Sequence, residues 1–269
     1  MKRVIRITSF ALSLLLLGGC KQNSHPAAKT PAPITELRVA AAADLQFALK
    51  ELSTQFESAH PQTKLLVTYG SSGNFFAQIQ NQAPFDVYFS ADIGYPRKLA
   101  DAGLALDGNV FTYAIGRIVI WVPESSPIDV GKLGIESLFA PNVKKIAIAN
   151  PQHAPYGKAA VAAMSSLGVY QRVEPSLVYG ENISQTAQFI QSGSADIGII
   201  ALSLAVAPEM KSRGRYWEIP LDAFPKMEQG GMILKSATQV KAARAFVEFS
   251  TGTHGRELLE RYGFFLPEN

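Results

Sequence analysis

Six short apolar runs alternate along this chain with six segments whose apolar residues recur every three or four positions. The runs are "LRVAAAA" (37–43), "KLLVTY" (64–69), "FDVYFSA" (85–91), "GRIVIWV" (116–122), "KKIAIAN" (144–150) and "DIGIIAL" (196–202). The segments are "LQFALKELSTQFESA", "FFAQIQNQ", "YPRKLADAG", "KAAVAAMSSLG", "ISQTAQFIQSG" and "KAARAFVEFST". Period-two and period-3.6 stretches in alternation are the pattern of βαβ units, so an α/β fold with mostly parallel sheet is expected. Leu45, Leu49, Leu52 and Phe56 fall on one helical face, as do Ile183, Ala187 and Ile190. Both helices should therefore pack on a sheet, with their N-terminal ends held beyond the carboxyl ends of its strands, where open α/β sheets collect ligands.

The first residues follow a different rule. "MKRVIRITSFALSLLLLGGC" has a basic start and an apolar run from Phe10 to Leu17 that is too short to span a bilayer, so 1–19 reads as an export signal. Leu17-Gly18-Gly19-Cys20 is similar to the bacterial lipoprotein processing box, and Cys20 is the only cysteine, with no partner for a disulfide. Lipidation at Cys20 is therefore expected, against the alternative of a leader cut nearby with Cys20 incidental. "KQNSHPAAKTPAPITE" lacks hydrophobic periodicity and reads as a tether over 20–36, with folding from Leu37. The chain carries 25 basic and 22 acidic residues, and Lys2, Arg3 and Arg6 in the leader account for the whole excess. A near-neutral mature chain argues against nucleic acid as a partner. His25, His60, His153 and His254 show no metal-ligand spacing, so neither a resident metal nor a cofactor is expected.

Four strand-to-helix junctions stand out: "AAAADLQ" (40–46), "YGSSGN" (69–74), "NPQHAPYGKAA" (150–160) and "GENISQ" (180–185). Each has small residues or caps where the first-turn N–H groups of a helix lack partners, the arrangement that receives anions. Taken singly each also fits a local cap, with Ser71 or Ser72 capping the second and Asn182 with Gln185 forming a capping box in the fourth. The second fails the phosphate-loop pattern, because no lysine follows Gly73.

In order and spacing, AAAADL, YGSSG, APFDVYFSAD, NPQHAPYG, GEN and a final RYGF resemble the periplasmic molybdate-binding proteins that feed ABC importers, from Leu37 to Phe265. The resemblance implies a two-lobe type II periplasmic binding protein fold, each lobe a mostly parallel sheet flanked by helices, joined by two crossing strands. It places lobe 1 at 37–116 with 219–269 and lobe 2 at 117–218, with "GRIVIWV" as the first crossing and 219–225 as the return. It implies Ala43, Asp44, Ser72 (Ser71 beside it), Tyr156 and Ile183 as ligand residues. By the same resemblance, a monomer tethered by lipid outside the cytoplasm takes molybdate, and tungstate with it, to a membrane permease. Its only metal is the molybdenum of the oxyanion.

Two departures accompany the resemblance. Many relatives carry serine or asparagine at position 44, whereas an ionised Asp44 can only accept hydrogen bonds. Some carry a ligand tyrosine where Ala201 stands, and Tyr156, alanine in those relatives, is placed to supply the missing bond. Asp44 has three options: capping its own helix, binding protonated, or accepting from a protonated anion such as hydrogen phosphate. The cap is the expected one, since Asp is a preferred N-cap. Two rivals stand beside molybdate capture: the same fold serving phosphate or sulfate, and a serine hydrolase built on Ser72, His153 and Asp44. GSSGN is not the GxSxG nucleophile elbow, which disfavours the hydrolase. Arg97, Arg117 and Arg172 lie outside the junctions, so an arginine clamp for an organic acid is not expected.

Overall fold

The computed structural model describes residues 34–267, so the leader and Cys20 lie outside the described residues. Ten strands form two five-stranded sheets. The first contains β1 (Thr35–Ala42), β2 (Thr63–Gly70), β3 (Val87–Ser90), β4 (Phe111–Gly116) and β10 (Met227–Ile233), in the order β2-β1-β3-β10-β4. The second contains β5 (Ile118–Pro123), β6 (Ile146–Ala149), β7 (Leu177–Gly180), β8 (Ile197–Ala201) and β9 (Gly214–Glu218), in the order β7-β6-β8-β5-β9. The chain leaves the first sheet at Arg117, between β4 and β5, and returns through 219–226 into β10. Strand structure begins at Thr35, two residues inside the expected tether, because Thr35 and Glu36 already pair with Thr63 and Lys64.

In each sheet four strands run one way and a single strand runs against them. In the first, β1 runs parallel to β2 and β3, while β10 is antiparallel to β3 and β4. In the second, β6 is parallel to β7 and β8, and β5 is antiparallel to β8 and β9. The reversed strands, β5 and β10, are the first that the chain enters after each passage between the sheets.

The parallel halves position the site. β1 and β2 end in register, Ala42 opposite Gly70, and β6 and β7 end in register, Ala149 opposite Gly180. Each end leads into a helix start: the 3-10 turn Ala43–Leu45 that precedes α1 (Gln46–Ala59), α2 (Ser72–Gln80), α3 (Pro155–Ser166) and α4 (Ile183–Gln191). α1 buries Leu49, Leu52 and Phe56 as its apolar spacing requires, and α4 buries Ile183, Ala187 and Ile190. Phe56 meets Phe246 and Phe249 edge to face at 5.1 and 5.5 Å, which fixes α1 against the C-terminal helix Val240–Thr251.

Candidate oxyanion site

The four helix starts come together from the two sheets. Ala42, Ala43, Asp44, Gly70, Ser71, Ser72, Ala91, Ala154, Pro155, Tyr156 and Ile183 line one cavity, so all five residues singled out in the sequence share a wall. It spans about 190 Å³, part of it open to solvent, and the space left between its walls admits no more than a water-sized sphere. That is about the room one water needs, so a larger anion enters only when the two sides part. A larger cleft of about 610 Å³ by the same measure, lined by Asp92, Lys158, Lys226 and Glu228 among others, adjoins the cavity at Ala91 and Pro155.

The donors are neutral. The backbone N–H groups of Ser72, Tyr156 and Ile183, in the first turns of α2, α3 and α4, find no acceptor among the described residues. Such groups carry the positive end of the helix dipole. The cavity lining contains no Lys or Arg. Arg117 instead pairs with Glu218 at 3.4 Å and lies over the Phe265 ring, and Arg172 lies over Phe139.

The serines do not cap. Ser71 is the residue before α2, but its side chain makes no bond to the helix; its Oγ lies 2.8 Å from His153 Nδ1. Ser72 Oγ accepts from Ala91 N–H at 2.9 Å, and Tyr88 O–H donates to the Ser72 carbonyl at 2.7 Å. With its acceptor role taken by Ala91, the Ser72 hydroxyl keeps its proton to offer. Only Asn182 caps as expected, accepting from Ser184 and Gln185 N–H at 3.0 Å each. Gln185 closes the motif one residue early, accepting from Glu181 N–H rather than Asn182.

Asp44 departs furthest from expectation. It does not cap a helix: neither the 3-10 turn nor α1 receives a side-chain cap, because the carboxylate turns to the other half of the molecule. Its Oδ2 accepts from Tyr156 O–H at 2.9 Å and from Gln229 Nε2 at 2.7 Å, and Gln229 also donates to the Tyr156 oxygen at 2.9 Å. Oδ1 has no partner. Burial pushes the Asp44 carboxyl up to about 6, against the pull of the Gln229 and Tyr156 bonds and of the neighbouring Asp44 and Leu45 N–H groups. Burial foremost, with the Asp44 charge next, holds the Tyr156 phenol well above its usual range, so it stays neutral. The Tyr156 hydroxyl proton is thus committed to Asp44, and Tyr156 offers the cavity its backbone N–H instead. Ala201, fully buried at the end of β8, does not line the cavity.

Gln229 had no warning in the sequence, where Glu228-Gln229-Gly230-Gly231 reads as a turn. His153, weighed in the sequence only as part of a hydrolase, has a different role in three dimensions. Its carbonyl accepts from Gly73 N–H at 2.9 Å, and its Nε2 lies 3.6 Å from Glu181 Oε1, while Asn74 Nδ2 donates to the same Glu181 oxygen at 2.6 Å. These contacts join α2 to the two loops of the opposite sheet. Ser72, His153 and Asp44 form no relay, since each is bonded to a different partner.

Residues 37–265 match the family model described as bacterial extracellular solute-binding protein. The chain is 35% identical to the molybdate-binding protein ModA of Rhodobacter capsulatus over 87% of its own length and 90% of that protein. The solved structure of the Azotobacter vinelandii periplasmic molybdate-binding protein superposes with a TM-score of 0.80 at 32% identity, covering 86% of this chain and 100% of that one. A Bacillus subtilis protein described as a putative ABC transporter substrate-binding lipoprotein is 27% identical over 94% of both chains. With a matching family model over most of its length and relatives above 30% identity, the chain belongs to the bacterial extracellular solute-binding proteins, in the group that contains the ModA proteins.

Proposed function

We propose that this protein captures molybdate, and tungstate as its near-isostere, between two lobes and hands it to the membrane permease of an ABC importer. The lobes are 37–116 with 219–269, and 117–218. Ala43, Asp44 and Ser72 contribute from the first and Tyr156 and Ile183 from the second. The observation that carries the reading is the convergence of four helix starts from two sheets on one cation-free cavity.

Four helix N-termini, each worth roughly half a positive charge, balance a dianion formally without a lysine. Charge-assisted bonds contribute about 1.5–3 kcal/mol each, so a handful suffices for micromolar capture after ordering costs. Neutral donors fixed on two rigid sheets select by the size of the tetrahedron, because a smaller sulfate cannot reach all of them at once. Export and a lipid at Cys20 would hold the protein, as a monomer, at the outer face of the membrane that carries the permease. The lipoprotein description of the Bacillus relative supports that part of the reading.

Thermal shift of the chain without its first 20 residues tests the reading against molybdate, tungstate, sulfate, phosphate and vanadate. Molybdate at a hundredfold excess over Kd should add about 2.7 kcal/mol, a rise of about 5–11 °C for a chain of this size. Ser72→Ala should weaken molybdate binding by about 1–3 kcal/mol by leaving one anion oxygen unpaired. One observation favours a second reading: an ionised Asp44 could accept a bond from hydrogen phosphate. A shift with phosphate and none with molybdate would establish it.

A further inference from the structure

Asp44 raises a problem that the capture of a dianion does not by itself solve. Its side chain is 1% exposed and lines the cavity, and its Oδ1 has no hydrogen-bond partner. A carboxylate oxygen and an oxyanion oxygen are both acceptors, and with no hydrogen between them they repel strongly in a dry cavity. Oδ2 already receives two donors, Tyr156 O–H and Gln229 Nε2, so a proton placed there would force one of those bonds to rearrange. Oδ1, the oxygen left free, takes a proton without disturbing either bond.

We infer, resting on the reading of the cavity as an oxyanion site, that the protein binds its dianion together with one proton, carried on Asp44 Oδ1 and donated to an anion oxygen. The proton comes from solvent. The reaction is dianion plus carboxylate plus H⁺ giving one complex, with no other bond made or broken. Tyr156 and Gln229 act as positioning residues: their two donors on Oδ2 direct the acidic hydrogen to the side of the anion.

Asp44 is the only charged residue in the cavity lining. Tyr156 from α3 and Tyr113 from β4 face the carboxyl, and burial holds both well above the usual phenol range, so they stay neutral. Ser203, which donates to the Asp44 carbonyl at 2.9 Å, and Gln229 carry no charge. Tyr69 of β2, which packs near the 3-10 turn, is pushed up to about 12 by burial. The His153–Glu181 pair meets the cavity lining through Ser71, and Asp92, Lys158, Lys226 and Glu228 lie in the adjoining cleft. The empty site already favours the protonated acid up to about pH 6, and a dianion beside it extends that range upward. Proton uptake on binding, and loss of affinity with rising pH, therefore belong to the neutral and mildly alkaline range.

The test is calorimetric titration of molybdate into the chain lacking residues 1–20 at pH 7.5, in several buffers of different ionisation enthalpy. Molybdate itself carries no proton there. The parent should take up close to one proton per anion, Asp44→Asn close to none, and His153→Asn the parental value. Between pH 7 and 8 the parental affinity should fall by up to about tenfold, and that of Asp44→Asn by less than twofold. Binding without proton uptake, or uptake that persists in Asp44→Asn or vanishes in His153→Asn, would overturn the inference while leaving molybdate capture intact. No binding heat from molybdate in the parent would overturn both.

Discussion

Gly73 lies in the first turn of α2, where that helix meets the His153 loop of the other half, and its replacement by alanine isolates that contact. A Cβ at this position would lie 2.5 Å from the His153 carbonyl oxygen and 2.9 Å from its Cα. Both are backbone atoms, so no side chain can swing away. The Gly73 N–H also donates to that carbonyl at 2.9 Å, a bond that is lost if the backbones separate to relieve the clash. Overpacking of this kind costs about 1–3 kcal/mol and the bond about 1 kcal/mol more. Under the proposed closure the cost falls on the closed state alone, because an open cleft leaves the new methyl in solvent. Alanine is also the better helix former. Gly73→Ala should therefore bind molybdate about 30- to 700-fold more weakly, while its ligand-free unfolding midpoint stays level or rises slightly. Calorimetric titration gives the first quantity and denaturant unfolding the second. An affinity within about threefold of the parent would show that α2 and the His153 loop do not meet in the bound state. A large drop in ligand-free stability would show that the halves do not part without ligand.

Other outcomes follow from the same packing. The folded chain holds the Asp44 proton up to about pH 6, whereas the unfolded chain releases it near 3.8, so this group lowers stability as pH rises through that window. Asp44→Asn removes the effect: its stability relative to the parent should improve by about 2–3 kcal/mol between pH 4 and 7, read from urea midpoints, and a difference constant with pH would refute the assignment. Phe56→Ala empties a fully buried position packed on Phe246 and Phe249 and should cost about 3–5 kcal/mol. Its urea unfolding curve should show this as a lower midpoint at unchanged slope. Asn182→Ala removes both cap bonds at the start of α4 and should cost about 1 kcal/mol. It should also weaken molybdate binding, because the Ile183 N–H loses its fixed direction, and an unchanged Kd would take Ile183 out of the site.

Much of the fold was legible because its central strands are apolar on both faces. β1, β3, β5, β6 and β8 all coincide with runs visible in the sequence, as does β2. The strands that escaped notice have identifiable reasons. β4, β7 and β9 stand at sheet edges, where partial exposure dilutes the apolar signal. β10 is interior, yet its "EQGG" reads as a turn. In the structure Gly230 and Gly231 are strand residues because a Cβ there would press on Ile93, Phe111 and the Tyr88 carbonyl, so the strand needs glycine for close packing. The reading of the serines and Asp44 as caps failed for a related reason. A cap is a local preference, and here each side chain found a better partner across the cleft or on a neighbouring strand.

The sequence by itself determined the alternation of strand and helix, the faces by which the helices pack, and the four junctions whose unpaired N–H groups suit an anion. Those are consequences of periodicity and of residue types within a few positions of each other. Only the tertiary structure decided that the four junctions share one cavity, that Gly73 and His153 meet, and that Tyr156 and Gln229 claim one oxygen of Asp44 and leave the other bare. Residues 44, 156 and 229 are brought together by two crossings of the chain between sheets. Whether a carboxyl keeps its proton depends on burial and on which donors surround it, and neither is a property of its neighbours along the chain.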